Sequence, residues 1–147
     1  MTILEMTAAH TAAVAQLEAR CFADPWSEAS VAGELDNPLS LWLVAVDGGG
    51  RLLGYAGSQA VLDAADVMNV AVAPEARRQG VARALLEALE ARLRARGVAS
   101  LSLEVRPSNG PALALYESLG FTEAGRRPGY YRNPREDAWI LRKEWKL

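Results

Sequence analysis

The sequence predicts a single mixed α/β domain over residues 1–147. Its core is a mixed, mostly antiparallel sheet with one parallel pair made by a crossover, flanked by helices. Three observations predict this. The chain has 147 residues, half of them hydrophobic, a size and composition that bury one sizeable core. Between Asp66 and Val105 a strand pattern, a long helical pattern and a second strand pattern follow one another. Such a unit closes as a right-handed crossover and makes its two strands parallel. Around it, short strands are joined by turns, which makes the rest of the sheet antiparallel.

In chain order, "TILEMT" reads as a first strand. "AAHTAAVAQLEARCF" sets Val14, Leu17 and Cys21 three or four residues apart, the spacing of one helix face. "DPWSEASVAGELDNP" predicts a second short helix, with Ser27 as N-cap and Asn37-Pro38 as the stop. "SLWLVAVD" is a strand, Gly48 to Gly50 a hairpin turn, and "LLGYAGSQAVLD" the returning strand. "DVMNVAVA" is a further strand, ended by Pro74. A long helix from Arg78 to Arg96 carries Val81, Leu85, Leu89 and Leu93 as one apolar stripe, and Gly97 stops it. In "ASLSLEV", Leu101, Leu103 and Val105 face one way, and Ser102 and Glu104 the other. "NGPALALYESLGF" predicts a helix capped by Asn109, with proline in its first turn and Gly120 at its end. The last strands are "FTEAGRR" and "EDAWILRKEW", joined by the loop "PGYYRNPR". No repeat, low-complexity segment or linker interrupts this order.

Composition argues against several function classes. The formal net charge is −2, whereas nucleic-acid binders usually carry a strongly basic face, so no direct nucleic-acid partner is expected. No apolar run approaches the ~20 residues of a membrane span. The N-terminus carries Glu5 early and lacks the basic-then-apolar layout of a secretory signal. The expectation is a cytoplasmic protein with no membrane partner. A lone cysteine, Cys21, leaves no intramolecular disulfide, and a lone histidine, His10, leaves no histidine cluster for a metal. Both read as structural, as do Trp26, Trp42, Trp139 and Trp145, taken as core or rim.

The stretch "VAPEARRQGVARALLEAL", Val72 to Leu89, places arginines and one glycine where a strand hands over to a helix. A helix N-terminus leaves backbone N–H groups without partners and carries partial positive charge, which suits an anion, most often phosphate. Gly80 has no Cβ to keep an anion from the backbone, and Ala82 is nearly as small. Arg77, Arg78 and Arg83 add charge at the rim. The ligand is not a nucleoside triphosphate of the P-loop kind, because Gly-Lys-Ser/Thr is absent. A dinucleotide fingerprint is absent too, since Leu53 stands where the third glycine after Gly48 and Gly50 belongs. On these residues alone, a phosphate seat and a row of solvated arginines both remain open.

Arg77-Arg78-Gln79-Gly80-Val81-Ala82 resembles the acyl-CoA signature of the GNAT acetyltransferases, Gln/Arg-x-x-Gly-x-Gly/Ala, and lies where that family has it, between a strand and a long helix. Ala82 stands where many members have glycine. "LSLEVRPSNGPALALYESLGF" resembles the second half of the family core, with Asn109 and Tyr116 in matching places, and the likeness runs over nearly the whole chain. "PWSE", "LEVRPSN", "LYESLGF" and "YYRNPREDAWIL" are most similar to those members that acetylate the N-terminal alanine of a ribosomal protein. The resemblance implies acetyl-CoA as co-substrate, no metal, and direct attack by the acceptor in a ternary complex. The implied acceptor is the N-terminal α-amine of a small-subunit ribosomal protein that begins with alanine. Two other readings stand beside it: the same chemistry on a protein lysine, another N-terminus or a polyamine, or an acyl-CoA-binding regulatory module without turnover.

The resemblance implies that Val70, Ala71 and Val72 offer backbone groups to the pantetheine arm as an added strand would. Taken as residues, they also fit a buried strand. Acyl transfer to an amine needs the amine neutral, and Glu104, a carboxylate in an apolar strand, is the candidate base. The alternative is a solvated Glu104, or one paired with Arg106. Tyr116 is the candidate proton donor to the departing CoA thiolate, or else core together with Ala112, Leu115 and Leu119. Asn109 caps its helix, and the resemblance adds a contact with CoA. Tyr130 and Tyr131, in the loop between the last strands, either line the acceptor peptide or pack the rim.

Overall fold

The computed structural model describes residues 1–145; Lys146 and Leu147, the end of the predicted domain, lie outside the described residues. The strands are β1 (Thr2–Glu5), β2 (Ser40–Val46), β3 (Leu52–Val61), β4 (Ala64–Val72), β5 (Ser100–Val105), β6 (Thr122–Tyr131) and β7 (Glu136–Glu144). The helices are α1 (Thr11–Cys21), α2 (Glu28–Gly33), α3 (Val81–Ala95) and α4 (Gly110–Ser118). All seven strands join one sheet in the order β1-β2-β3-β4-β5-β7-β6. Only β4 and β5 pair in parallel, joined by the crossover through α3; every other pair is antiparallel.

Helix α3 forms because its apolar residues recur at helical spacing: Val81, Leu85, Leu86, Leu89 and Leu93 are all buried. Burying each such leucine is worth roughly 1.5–3 kcal/mol. Its end is a Schellman turn, with Gly97 N–H bonded to Arg94 O at 3.0 Å and Val98 N–H to Leu93 O at 3.1 Å. Helix α4 ends the same way, with Gly120 N–H on Glu117 O and Phe121 N–H on Tyr116 O, each 3.0 Å. The Ser27 hydroxyl accepts from Ser30 N–H at 3.1 Å and caps α2, which is shorter than its sequence pattern and passes into a 3₁₀ turn over Glu34–Asp36. Neighbouring residues of β3 show how the layers lie. A Cβ on Gly54 would sit 3.1 Å from Val81 of α3, while Tyr55 reaches Glu18 of α1. Successive strand residues face opposite sides, so α1 and α3 cover opposite faces.

Two boundaries differ from the sequence reading. Helix α3 begins at Val81, not Arg78, because Arg78 and Gly80 both take positive φ (64° and 77°) and cannot continue a right-handed helix. Strand β6 runs on to Tyr131, so Tyr130 and Tyr131 close a strand and do not lie in the loop. The pairing Tyr131↔Glu136 holds that end in register. No helix among the described residues is long and apolar enough to cross a membrane.

Candidate active site

The feature that makes a site is a short seam. Strands β4 and β5 pair only through Ala64↔Ser100, Ala65↔Leu101 and Asp66↔Ser102, and then part. Beyond Asp66, β4 is paired on its β3 side alone. Ala73 N–H donates to Leu53 O at 2.8 Å, and hydrogen-bonded pairs alternate along an antiparallel ladder. Ala71 therefore spends its peptide groups on Tyr55, its partner in register. Val70 and Val72 turn theirs to the open side. Of the three residues expected to offer backbone groups, two present them to the gap, and Ala71 supplies a small side chain.

The gap is a cavity of about 670 Å³, walled by the end of β4, the start of α3, the first turns of α4, and Cys21 and Phe22 at the end of α1. At its floor α3 starts without a side-chain cap and without an acidic residue in its first turn. The first N–H groups of α3 therefore point to the cavity unclaimed by any cap, at the positive end of the helix dipole. Gly80 caps this turn at φ 77°, a conformation costing other residues roughly 1–2 kcal/mol. A Cβ built there meets nothing within 4 Å. Gly80 is thus favoured by its backbone angle, and the open space beside it fits a bound anion.

The charges agree with this. Arg77, Arg78 and Arg83 line the cavity. Neither Arg77 nor Arg78 has an acidic partner among the described residues, whereas Arg83 reaches Ser118 and Glu87. Glu75 precedes them closely in sequence, but Arg20, 2.8 Å away, and Arg51 hold its carboxyl, and its pKa falls to about 2. Gln79 lies apart from the cavity wall and donates to Glu75 O at 3.4 Å. Val81 and Ala82 line the wall.

The opposite wall is α4. Asn109 accepts from Ala112 N–H at 3.2 Å and so caps the helix, while also lining the cavity. Tyr116 is 7% exposed, packs edge-on against Phe121 at 6.0 Å, and faces the cavity. Burial pushes its pKa up to about 12. Its hydroxyl makes no hydrogen bond to the described residues, which leaves it available to a ligand.

Glu104, Tyr130 and Tyr131 are not part of this wall; they cluster beside it on the sheet. Glu104 of β5 and Arg127 of β6 meet at 3.3 Å across β7, passing over buried Ala138. The pairing imagined with Arg106 does not form. Arg106 is bound to Glu136, Pro134 O and Arg132 O, and lies over the Tyr131 ring at 4.4 Å. The hydrogen-bonding pull of the Glu104 carboxylate, ahead of partial burial, raises the Tyr130 pKa. Burial first, and then the Glu104 charge, raises Tyr131 to about 12. The tyrosine rings meet edge-on at 5.0 Å.

Sequence reasoning missed Cys21 and Phe22 as cavity residues, since they come from an element remote in sequence. Cys21, read as structural, places its thiol 3.9 Å from Val72 O and 3.8 Å from Arg77. Arg127 was also missed, since its place beside Glu104 depends on β7 lying between β5 and β6.

Comparison with known proteins agrees with this fold. Residues 11–121 match the model of the Acetyltransferase (GNAT) family. The chain is 45% identical over 143 residues to the [ribosomal protein bS18]-alanine N-acetyltransferase of Escherichia coli K12, covering 95% of each chain. It is 37% identical over 150 residues to the N-alpha-acetyltransferase RimI of Mycobacterium tuberculosis, covering 98% of this chain and 92% of that one. The crystal structure of the E. coli ribosomal-protein-S18-alanine N-acetyltransferase superposes with a TM-score of 0.90 at 42% identity, over 99% of this chain and 94% of that one.

Proposed function

The chain belongs to the GNAT family of acetyltransferases, and on that premise we propose that it acetylates the N-terminal α-amine of a small-subunit ribosomal protein that begins with alanine. It is an acetyl-CoA-dependent N-acetyltransferase. The relatives named for the alanine of bS18 support this acceptor, since two of them are 45% and 38% identical to this chain over 95% and 87% of it. A cytoplasmic location follows from that acceptor.

The observation that carries the reading is the parted seam: a strand whose Val70 and Val72 peptide groups have no strand beside them, ending in a helix start free of acidic side chains. Val70 and Val72 hold the pantetheine arm by main-chain bonds, as they would a further strand. The N–H groups of Val81, Ala82 and Arg83, with Arg77 and Arg78, hold the pyrophosphate. Asn109 keeps its amide nitrogen for the same ligand while its oxygen caps α4. Acetyl-CoA supplies the activated acyl group. Glu104 accepts the proton that the attacking ammonium must lose, and Tyr116 returns a proton to the sulfur that leaves. With a pKa near 12, Tyr116 is protonated at every physiological pH and so is always able to donate. Tyr130 and Tyr131 wall the approach beside Glu104.

The choice of an α-amine rests on acidity. An α-ammonium has a pKa near 8 and a lysine ammonium near 10.4, so freeing the lysine costs roughly 3 kcal/mol more. A carboxylate base suits the former. A peptide with a free N-terminal alanine is expected to gain one acetyl group on that amine. The same peptide with a blocked N-terminus and internal lysines is expected to be a poor substrate. Fragment-ion mapping of both products decides it, and equal acetylation of the blocked peptide overturns the acceptor.

A further inference from the structure

Behind the cavity wall lies a carboxylate with no part in the chemistry above. Glu18 of α1 is 1% exposed, and no cationic side chain pairs with it among the described residues. A buried charge without partners is costly. Here it is met by neutral donors: the Tyr55 hydroxyl, the Asn69 amide nitrogen at 2.5 Å and Trp26 N–H at 3.3 Å. Donors converging on one group require something that only accepts, and among side chains of this length a carboxylate does so. The donors come from β3, from β4 and from the chain after α1, so one side chain ties three segments together.

The consequence falls on Asn69. Its amide nitrogen must face Glu18, so its oxygen must face the other way, and there it accepts Val70 N–H at 3.2 Å. Val70 is a residue whose peptide faces the cavity. Asn69 also stands at an irregular point of β4. Gly57 pairs with Asn69 and Ser58 with Val67, leaving Met68 as an extra residue. A bulge re-aims the groups that follow it. The other side of the knot is rigid. Tyr55 is fully buried and stacked on Trp42 at 5.8 Å, and Trp42 lies so close over Gly57 that a Cβ there would come within 2.2 Å of its ring.

We propose that Glu18 and Asn69 are positioning residues for the acetyl group: together they fix the bulge of β4 and thereby the direction in which Val70 N–H meets the thioester carbonyl. The inference rests on the cavity being the acetyl-CoA site. In the free protein Asn69 holds that N–H in place. On binding, the carbonyl oxygen replaces Asn69 Oδ1 as the acceptor of that N–H, while the bond from the Asn69 amide nitrogen to Glu18 keeps the strand in place, so the donor is already aimed when the ligand arrives.

The test compares two ligands that differ only in the acetyl group. Calorimetry of Asn69→Ala with CoA and with acetyl-CoA, alongside steady-state kinetics, separates positioning from general loosening. The expected result is CoA affinity within about twofold of the parent, a ratio of acetyl-CoA to CoA affinity lowered about threefold or more, and kcat lowered about 10- to 100-fold, the scale of a misplaced reacting group. Asn69→Ser, a milder change, is expected to move the same ratio in the same direction, and Glu18→Gln, which sets an amide against the donors, to reproduce it. Should Glu18→Gln fail to fold, the two Asn69 variants decide. An unchanged ratio with kcat within twofold overturns the proposal. Equal loss of both ligands assigns Asn69 to general structure and also overturns it. If the parent itself binds neither ligand, the cavity assignment falls, and the proposal with it.

Discussion

The two sides of the cleft are built by different means. The anion side, from Arg77 to Arg83, is one continuous stretch whose geometry resides in the backbone: two positive φ angles and an uncapped helix start. The side holding Glu104 is assembled from side chains of β5 and β6 brought together over β7. A backbone site depends on few residue types and is disrupted by bulk or wrong charge. A side-chain site depends on each functional group and is disrupted by removing single atoms. Variants on the two sides should therefore fail differently.

The largest effect is expected at the anion side. Gly80→Glu forces a side chain into the left-handed region and sets a negative charge at the proposed anion seat. Losing even one charge-assisted hydrogen bond is worth about 1.5–3 kcal/mol, so acetyl-CoA affinity should fall about a hundredfold or more by calorimetry. Gly80→Ala has space for its methyl group and should show only the conformational penalty of roughly 1–2 kcal/mol. If both variants bind alike, the anion seat is misassigned.

On the side-chain side, Glu104→Gln should leave acetyl-CoA binding intact and lower kcat about 10²- to 10³-fold at neutral pH, within the range for a general base. Part of the loss should return as pH rises and the α-amine frees itself. A pH–rate profile of parental shape would remove Glu104 as the base.

Tyr116 lies between the two sides and should give a smaller loss. Tyr116→Phe should keep the fold and CoA affinity and lower kcat about a hundredfold or somewhat less. It should also change stability in alkali. The unfolded tyrosine ionises near pH 10, while the buried one holds its proton to about 12. Between those values the folded chain binds more protons than the unfolded, so stability falls as pH rises, by up to about 3 kcal/mol, and is unaffected below pH 10. Denaturation of Tyr116→Phe against the parent at pH 8 and pH 11 should show that part of the decline removed.

The smallest effect is expected at Arg127. Its pair with Glu104 is more than half exposed on the arginine side, and exposed pairs are worth about 0–1 kcal/mol. Arg127→Gln should change the denaturation midpoint little; a loss above about 2 kcal/mol would mean that β6 depends on this contact.

The same contrast explains what the sequence disclosed. The cavity-lining places of Gly80, Arg77, Arg78 and Arg83 and the cap made by Asn109 were legible because they depend on near neighbours: a glycine before an apolar helical stripe, an asparagine two residues before a proline. The crossover from Asp66 to Val105 was legible because handedness and pairing follow from element order. Arg127 meeting Glu104, or Glu18 reaching Asn69 across 51 residues of chain, depends on strand order β5-β7-β6 and on which helix covers which face. Neither is written in local spacing. The dipeptide "PG" reads as a turn and puts Tyr130 and Tyr131 in a loop, yet Gly129 N–H bonds to the Asp137 side chain at 2.8 Å, and β6 continues through it.

The short seam between β4 and β5 has a kinetic signature of its own. Amide hydrogens exchange with solvent at rates set by what holds them, and along the end of β4 the holders alternate. Ala71 N–H is locked in the ladder with β3. Val72 N–H faces the gap with no strand beside it, and Val70 N–H is held only by a side chain at 3.2 Å. Within three consecutive residues the free protein should exchange fast, slow and intermediate at Val72, Ala71 and Val70. When a ligand lies down as the missing strand, that alternation should disappear, and the three amides should become equally slow.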